Sequence, residues 1–480
     1  MLLTLAALDQ TIVTTALPTI ISELGELKQI SWIVTSYLLS STIVSPLYGK
    51  LGDMYGRKIM MQIAIIVFLI GSFLSGISIN IEMFIVSRVI QGMGGGGLFV
   101  LAFTVVGDIV PSRSRGKIQG LFAVVFGMSS ILGPLIGGFF VEEISWGWIF
   151  FINIPIGIIS LIILNFTFPK MNFLEKKSID YIGIFLLTSI IFLIILFTND
   201  VSNFFITKNW PIAFILIILL ITFFIFWEKK NQDPIFPIKL FTEKNFFIYS
   251  FIGFFSGGIL FSLLIFIPFY FQILKSSSPT ESGIYLIPLT IGIITGAWTC
   301  GLIMTRYGKY KFLPTIGSIV MISGLIGLII TTYNNSINII SFFLFIIGIG
   351  LGPQLSVITT IIQNGAPTNQ MGVSTSTLIL MRQIGGNVSI AIFSLIFIQK
   401  IKIESLLNKL VDEKKINIFN LDRFKMMNLS KSDKLYISEI LDKGFEMVFV
   451  SLLIISLIIF CLSFFGVEKE LSKTSHNQKK

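Results

Sequence analysis

Three features of the sequence predict an all-α polytopic membrane protein. Hydrophobic residues fill 54% of the 480 positions and charged residues only 12%, about half the roughly 25% charged share of soluble domains. Apolar runs of spanning length recur along the whole chain. None shows the period-two alternation of barrel strands, and backbone amides in hydrocarbon must be satisfied within each segment, which makes the runs helices. At about 20 residues per crossing, about 14 crossings consume about 280 positions. That leaves no stretch for a sizeable soluble catalytic domain, and 13% aromatic residues exclude a disordered chain.

In order, the expected spans are 1–22, 30–48, 60–79, 83–107, 118–141, 147–168, 181–198, 210–227, 246–273, 283–304, 312–332, 337–362, 374–398 and 446–466. The first has no basic leader and no small-residue cleavage site, and it contains Asp9, so a retained helix is expected there rather than a removable signal peptide. Basic loops resist translocation. Loops after even-numbered spans carry Lys50, Arg57, Lys58, Arg113, Arg115, Lys117, Lys170, Lys176, Lys177, Lys229, Lys230, Lys239, Lys244, Arg306, Lys309 and Lys311; short loops after odd-numbered spans carry Lys28, Lys208 and Lys275. Both termini are therefore expected in the cytoplasm, with the protein in the cell (inner) membrane. The Lys-rich stretch from Lys400 to Lys443 falls on the outer side against this count, as long loops often do.

Two loops echo each other. Gly49–Lys58 (GKLGDMYGRK) lies between spans two and three, and Gly301–Lys309 (GLIMTRYGK) between spans ten and eleven. In each, paired glycines precede basic residues. Transporters are often built from two such repeats, which predicts an N-terminal six-helix bundle over 1–170, an inserted helix pair with flanking cytoplasmic loops over 171–240, and a C-terminal six-helix bundle over 241–480. The last carries a long outer loop near 400–445 and a cytoplasmic tail.

Several function classes drop out. The +10 net charge sits in loops beside anionic headgroups rather than in a nucleic-acid patch. Cys300 and Cys461 lie far apart in apolar runs, and His476 lies in a polar tail, so no metal motif or disulfide framework is expected. No Gly-rich Lys-Ser/Thr loop signals nucleotide. Without a usable His, paired acids or a Cys cluster, an enzyme is not expected. The expected partners are the bilayer, a small-molecule substrate and protons, bound by a monomer without cofactors.

Charges inside a membrane span are costly and mark pathways. Three occur: Asp9 in span one, Arg88 in span four and Arg382 in span thirteen. Low dielectric disfavours a carboxyl's charged form, so alternating exposure would let Asp9 bind and release a proton; the competing placement is at a hydrated helix end. Arg88 would act electrostatically or tie helix ends together, with Gln91 one turn away able to share its partner. Possible cavity-lining groups are Trp32, Tyr37, Gln91, Asn153, Gln363, Asn364, Arg382 and Gln383. A cavity with few fixed polar groups suits lipophilic solutes of varied shape.

In the Gly49–Lys58 loop, Gly56 permits a tight turn and Asp53 can accept from a helix N-terminus or an Arg. Gly49, Asp53, Gly56, Arg57 and Lys58 therefore form a candidate conformational latch; positive-inside anchoring by Arg57 and Lys58 is compatible with it. Thr305 replaces the acid in the second copy, which weakens any latch there. Gly133 and Gly137 have the i,i+4 spacing of close helix packing, with Pro134 between them and Gly138 following.

These residues also carry a family resemblance over almost the whole chain. The Gly49–Lys58 loop resembles the signature between helices two and three of the major facilitator superfamily. The stretch Leu8–Pro18 resembles the opening motif of its fourteen-helix drug:proton antiporter branch, of multidrug exporter type. Arg88–Gly95 and Gly133–Gly138 resemble two further motifs, the latter associated with antiporters, and Trp146–Gly157 and Arg382–Gly386 are similar to others. The resemblance implies a secondary active transporter, a proton-coupled antiporter exporting lipophilic drugs or related molecules by alternating access. It favours Asp9 and Arg88 in proton coupling and gives the Gly133–Gly138 segment a gating role. Uptake or facilitated transport of another solute fits the same fold. Thr14 stands where the family usually has Asn, Gly147 where it has Arg, and the later helices lack the buried acid that some of its exporters use for divalent cations.

Overall fold

The computed structural model describes residues 1–24, 30–168, 178–199, 210–236, 238–330, 336–407 and 431–471. Its helices are α1 Leu2–Leu24, α2 Ile30–Tyr55, α3 Arg57–Gly76, α4 Ile81–Ile109, α5 Ser112–Glu143, α6 Trp148–Phe151, α7 Asn153–Thr167, α8 Tyr181–Asn199 and α9 Trp210–Lys230. They continue as α10 Lys244–Leu274, α11 Pro279–Ile284, α12 Ile287–Tyr307, α13 Phe312–Ile330, α14 Ile337–Gly365, α15 Met371–Leu407 and α16 Lys431–Phe464. Each expected span is helical over most of its length. Among the described residues, nine helices are long and apolar enough to cross a membrane, and the protein is an integral membrane protein.

Local chemistry sets several boundaries. Asn80 caps α4 by accepting from Met83 N–H at 2.8 Å, and Ser278 forms a capping box with Glu281 ahead of α11. The break between α2 and α3 falls on Gly56, whose φ is +94°, and Gly308 ends α12 at φ +68°. Both are conformations that side chains disfavour, and they occupy matching places in the two echoing loops. Pro46, Pro268 and Pro353 lie inside α2, α10 and α14; neighbouring helices make such breaks tolerable in a membrane.

Glycines bring the helices close together. Cβ atoms at Gly292 and Gly348 would overlap Phe345 O and Leu289 O across the α12–α14 contact, the small-residue packing that substitutes for hydrophobic drive in lipid. At Gly71 a Cβ would overlap the Gln91 backbone, and at Gly94 the Phe68 backbone, so α3 and α4 touch along their lengths. Helices α8 and α9 pack on each other, and α8 rests on α2 and α15. The outer side of α9 exposes Ile212, Ile215, Leu219 and Phe226, a surface suited to lipid.

The structure corrects the long outer loop near 400–445. Helix α15 runs on to Leu407 and α16 begins at Lys431, because polar side chains pair beyond the apolar spans: Glu404 accepts from Lys400 at 2.9 Å and from Lys443 at 3.1 Å. Positions 408–430 lie outside the described residues, as do Lys28, Lys170, Lys176, Lys177, Lys208 and His476.

Candidate functional site

Asp9, in the middle of α1, is fully buried. Its Oδ2 accepts from Arg88 Nη1 at 2.8 Å, and its Oδ1 accepts from Gln91 Nε2 at 2.7 Å and Asn153 Nδ2 at 3.2 Å. Arg88 Nη1 also donates to Gln91 Oε1 at 2.6 Å. Ser72 Oγ receives Gln91 Nε2 at 3.1 Å and Asn153 Nδ2 at 3.0 Å, then donates to Phe150 O at 2.8 Å. The guanidinium lies 4.4 Å from the Tyr37 ring centroid and 5.7 Å from that of Phe150, a cation–π arrangement. Helices α1, α3, α4 and α7 thus converge on one carboxylate. The α3–α4 glycine contact sets this geometry by holding Ser72 beside Gln91.

The cluster is nearly but not wholly satisfied. Arg88 Nε, Asn153 Oδ1 and Tyr37 Oη have no partner, and buried polar atoms without partners are costly. Such residual capacity lets a cluster exchange partners when its charge changes. Adding a proton to Asp9 would remove the acceptor that neutralises Arg88.

A second constellation lies at the end of the bundle that carries the basic loops. Asp53 accepts from Gly372 N–H at 3.0 Å and Val373 N–H at 3.1 Å, in the first turn of α15, and pairs with Arg57. Arg57 Nε donates to Asp108 Oδ2 at 2.8 Å and its Nη1 to Gly49 O at 3.3 Å. A Cβ at Gly49 would overlap Ser376, and one at Gly372 would overlap Gly49 O; only glycines permit this approach. The acid at a helix N-terminus is favoured by the exposed amides and the helix dipole. In the second copy, Thr305 Oγ1 lies 3.0 Å from Arg113 O and 2.8 Å from Gly301 O of its own helix, one neutral hydroxyl proton in place of the ionic set. Lys58 reaches Asn165 O at 2.7 Å and takes no part in the contact with α15.

The remaining expected residues scatter. Gly133 packs against α1, where a Cβ would overlap Thr11, and Thr11 Oγ1 donates to Ser129 O at 2.8 Å. Gly137 is buried, while a Cβ at Gly138 meets no described atom within 4 Å. Pro134 lies in α5, and its side chain is outside the described residues. Trp32 is 39% exposed. Gln363 donates to Phe103 O at 2.9 Å and Asn364 to Glu470 O at 3.3 Å, both at the basic end. Arg382 Nη2 donates to Leu355 O at 2.7 Å and Thr359 Oγ1 at 3.0 Å, apart from the Asp9 cluster, while Gln383 Oε1 has no partner. Sequence reading missed Ser72, one of three serines in its span (Ser72, Ser75 and Ser78) with nothing to set it apart from the others. It also missed Asp108, whose place directly after span four, just before Arg113 and Arg115, was a usable clue.

Residues 1–390 match the Major Facilitator Superfamily. The chain belongs to that superfamily. It is 34% identical to the multidrug transporter protein MdtP of Bacillus subtilis, across 80% of this chain and 71% of that protein. With multidrug resistance protein 3 of the same organism it shares 34% identity, across 81% and 76%. An uncharacterised MFS-type transporter of Mycobacterium tuberculosis is 33% identical over 82% of this chain, which spans only 58% of that relative's length. Among solved structures, a proton:xylose symporter aligns with TM-score 0.64 at 14% identity, covering 98% of this chain and 96% of its own, and the human organic anion transporter MFSD10 with 0.63 at 13%, covering 96% and 97%. These structural likenesses concern the fold. Superfamily membership places the chain in a family of membrane transporters rather than of enzymes.

Proposed function

We propose that this major facilitator protein is a proton-coupled antiporter that exports lipophilic small molecules by alternating access. The observation that carries the reading is the buried Asp9 carboxylate, held by Arg88, Gln91 and Asn153. A proton taken from the outside would neutralise Asp9, free Arg88 to seek another acceptor and loosen α1 against α4. Its release to the cytoplasm would restore the ion pair. The names of the two Bacillus relatives support a drug-like substrate.

In this reading 1–170 and 241–480 are the two rocking bundles, 171–240 is an inserted pair, and the basic end faces the cytoplasm. The Asp53 contact with α15 then holds the cytoplasmic side closed and must break for substrate to enter. Gly133 against Thr11 lets α5 and α1 slide as one unit during that change.

Inverted membrane vesicles made acid inside test the scheme. Accumulation of fluorescent lipophilic cations driven by the gradient is expected, and Asp9→Asn should abolish it while leaving passive leak. Unchanged pumping by Asp9→Asn would remove Asp9 from coupling; no uptake across a broad panel, with uptake of a polar metabolite by whole cells, would overturn export.

A further inference from the structure

Two buried acids outside the clusters above face each other at the basic end of the inserted pair. Asp180 precedes α8 and is 5% exposed; Glu228 sits in the last turn of α9 and is 1% exposed. One oxygen of each is engaged: Asp180 Oδ1 accepts from Gly183 N–H at 2.8 Å and Trp227 Nε1–H at 2.9 Å, and Glu228 Oε2 accepts from Phe236 N–H at 3.3 Å. The other two, Asp180 Oδ2 and Glu228 Oε1, are buried without a partner. Both converge on Gly183, where a Cβ would overlap each of them. Two ionised carboxylates in that position present acceptor to acceptor and repel; a proton on one converts it to a donor for the other.

We propose that Asp180 and Glu228 share a single proton, forming a proton-binding site separate from Asp9 that fastens the inserted helix pair to the latch. The charges around the pair fit this occupancy. From α2 comes Lys50, whose Nζ donates to Asp233 O, and Asp53, already paired with Arg57. The segment after α9 contributes Asp233, whose carboxylate accepts from Ser178 N–H and Oγ–H at 2.9 and 3.1 Å. Lys229 and Lys230 are exposed, and α15 presents the apolar Leu380 and Ile384. Of these lysines Lys50 is the buried one, and with one proton the pair sets a single negative charge against it; without the proton a second carboxylate is buried in its charged form.

The fastening runs through a short segment. Phe236 N–H holds Glu228, and Asp233 O holds Lys50 three residues from Asp53 in α2. One cavity there is lined by Lys50, Asp53, Asp233 and Val373 together. Loss of the shared proton pushes Glu228 from Asp180, pulls on Phe236 and loosens the segment that braces α2 against α15. The fastening rests on the latch proposed above; the shared proton does not.

Infrared difference spectra of the full chain in lipid nanodiscs across a pH titration test the proton. A protonated-carboxyl C=O band that disappears on alkalinisation and shifts in heavy water is expected. It should vanish in both Glu228→Gln and Asp180→Asn, each of which supplies an amide donor that preserves the contact, and remain in Asp9→Asn. A spectrum with no band removed by either variant overturns the shared proton. For the fastening, spin labels at Tyr55→Cys and Tyr307→Cys, exposed ends of α2 and α12, are placed in a Cys300→Ala, Cys461→Ala, Asp9→Asn background. The inter-label distance should lengthen as pH rises, and Glu228→Gln should remove that response. Persistence of the response in Glu228→Gln overturns the fastening. No movement even with Asp53→Asn defeats the latch instead, and the infrared result then judges the shared proton alone.

Discussion

Replacing Asp53 by Asn tests the latch with almost no change of shape. In the closed state the carboxylate accepts two backbone N–H bonds from α15, at 3.0 and 3.1 Å, besides pairing with Arg57. Hydrogen bonds to a charged group are worth about 1.5–3 kcal/mol each, against about 1 kcal/mol for neutral ones. Asn offers one oxygen to two donors and turns its NH2 toward the other, so one bond is lost and one loses its charge. Arg57 keeps Asp108 at 2.8 Å, which limits the penalty of an unpaired guanidinium. The sum is about 3 kcal/mol taken from the closed state, or roughly a 150-fold shift toward separation of the basic ends at about 1.4 kcal/mol per factor of ten. Spin-label distances between positions 55 and 307 in nanodiscs read this directly. An unchanged distance distribution in Asp53→Asn, with the protein folded, would refute the argument that this acid closes the contact.

Other consequences of the geometry are open to measurement. Arg88→Lys keeps the charge but loses the planar group stacked on Tyr37 and shared between Asp9 and Gln91; gradient-driven uptake should fall at least about tenfold, the equivalent of about 1.4 kcal/mol, and wild-type rates would defeat the positional role. Gly71→Ala would force α3 from α4 because the added methyl meets backbone, costing about 1–3 kcal/mol and lowering the midpoint of thermal unfolding. Gly138→Ala, with open space at that position, should leave the midpoint unchanged; equal effects would discount the glycine contacts. Lys400 and Lys443 hold the Glu404 carboxyl below the usual carboxylate range. Its folded value being depressed, the α15–α16 contact gains stability above the ordinary Glu value of about 4.3 and loses it as pH falls through the depressed one. Hydrogen-exchange protection at these helix ends, taken relative to the intrinsic rate at each pH, should therefore fall on acidification in the wild type and lose that pH dependence in Glu404→Gln.

Sequence alone determined the solvent of this protein, because the cost of unsatisfied amides in hydrocarbon leaves long apolar runs no option but helices. It also exposed the charges that such an environment makes conspicuous: Asp9 and Arg88 stand out against apolar neighbours, and Gly56 and Gly308 mark the same turn twice. Hidden in the sequence were contacts between residues that only helix packing brings together. Ser72 meets Gln91 because glycines let α3 sit against α4, Asn153 reaches Asp9 from α7, and Asp53 finds the first amides of a helix more than three hundred positions later. The ends of α15 and α16 depend on ion pairs across two helices, which hydropathy along one chain does not register. Asp180 and Glu228 read as ordinary loop acids until α8 and α9 close over them and exclude the water that would otherwise keep them apart.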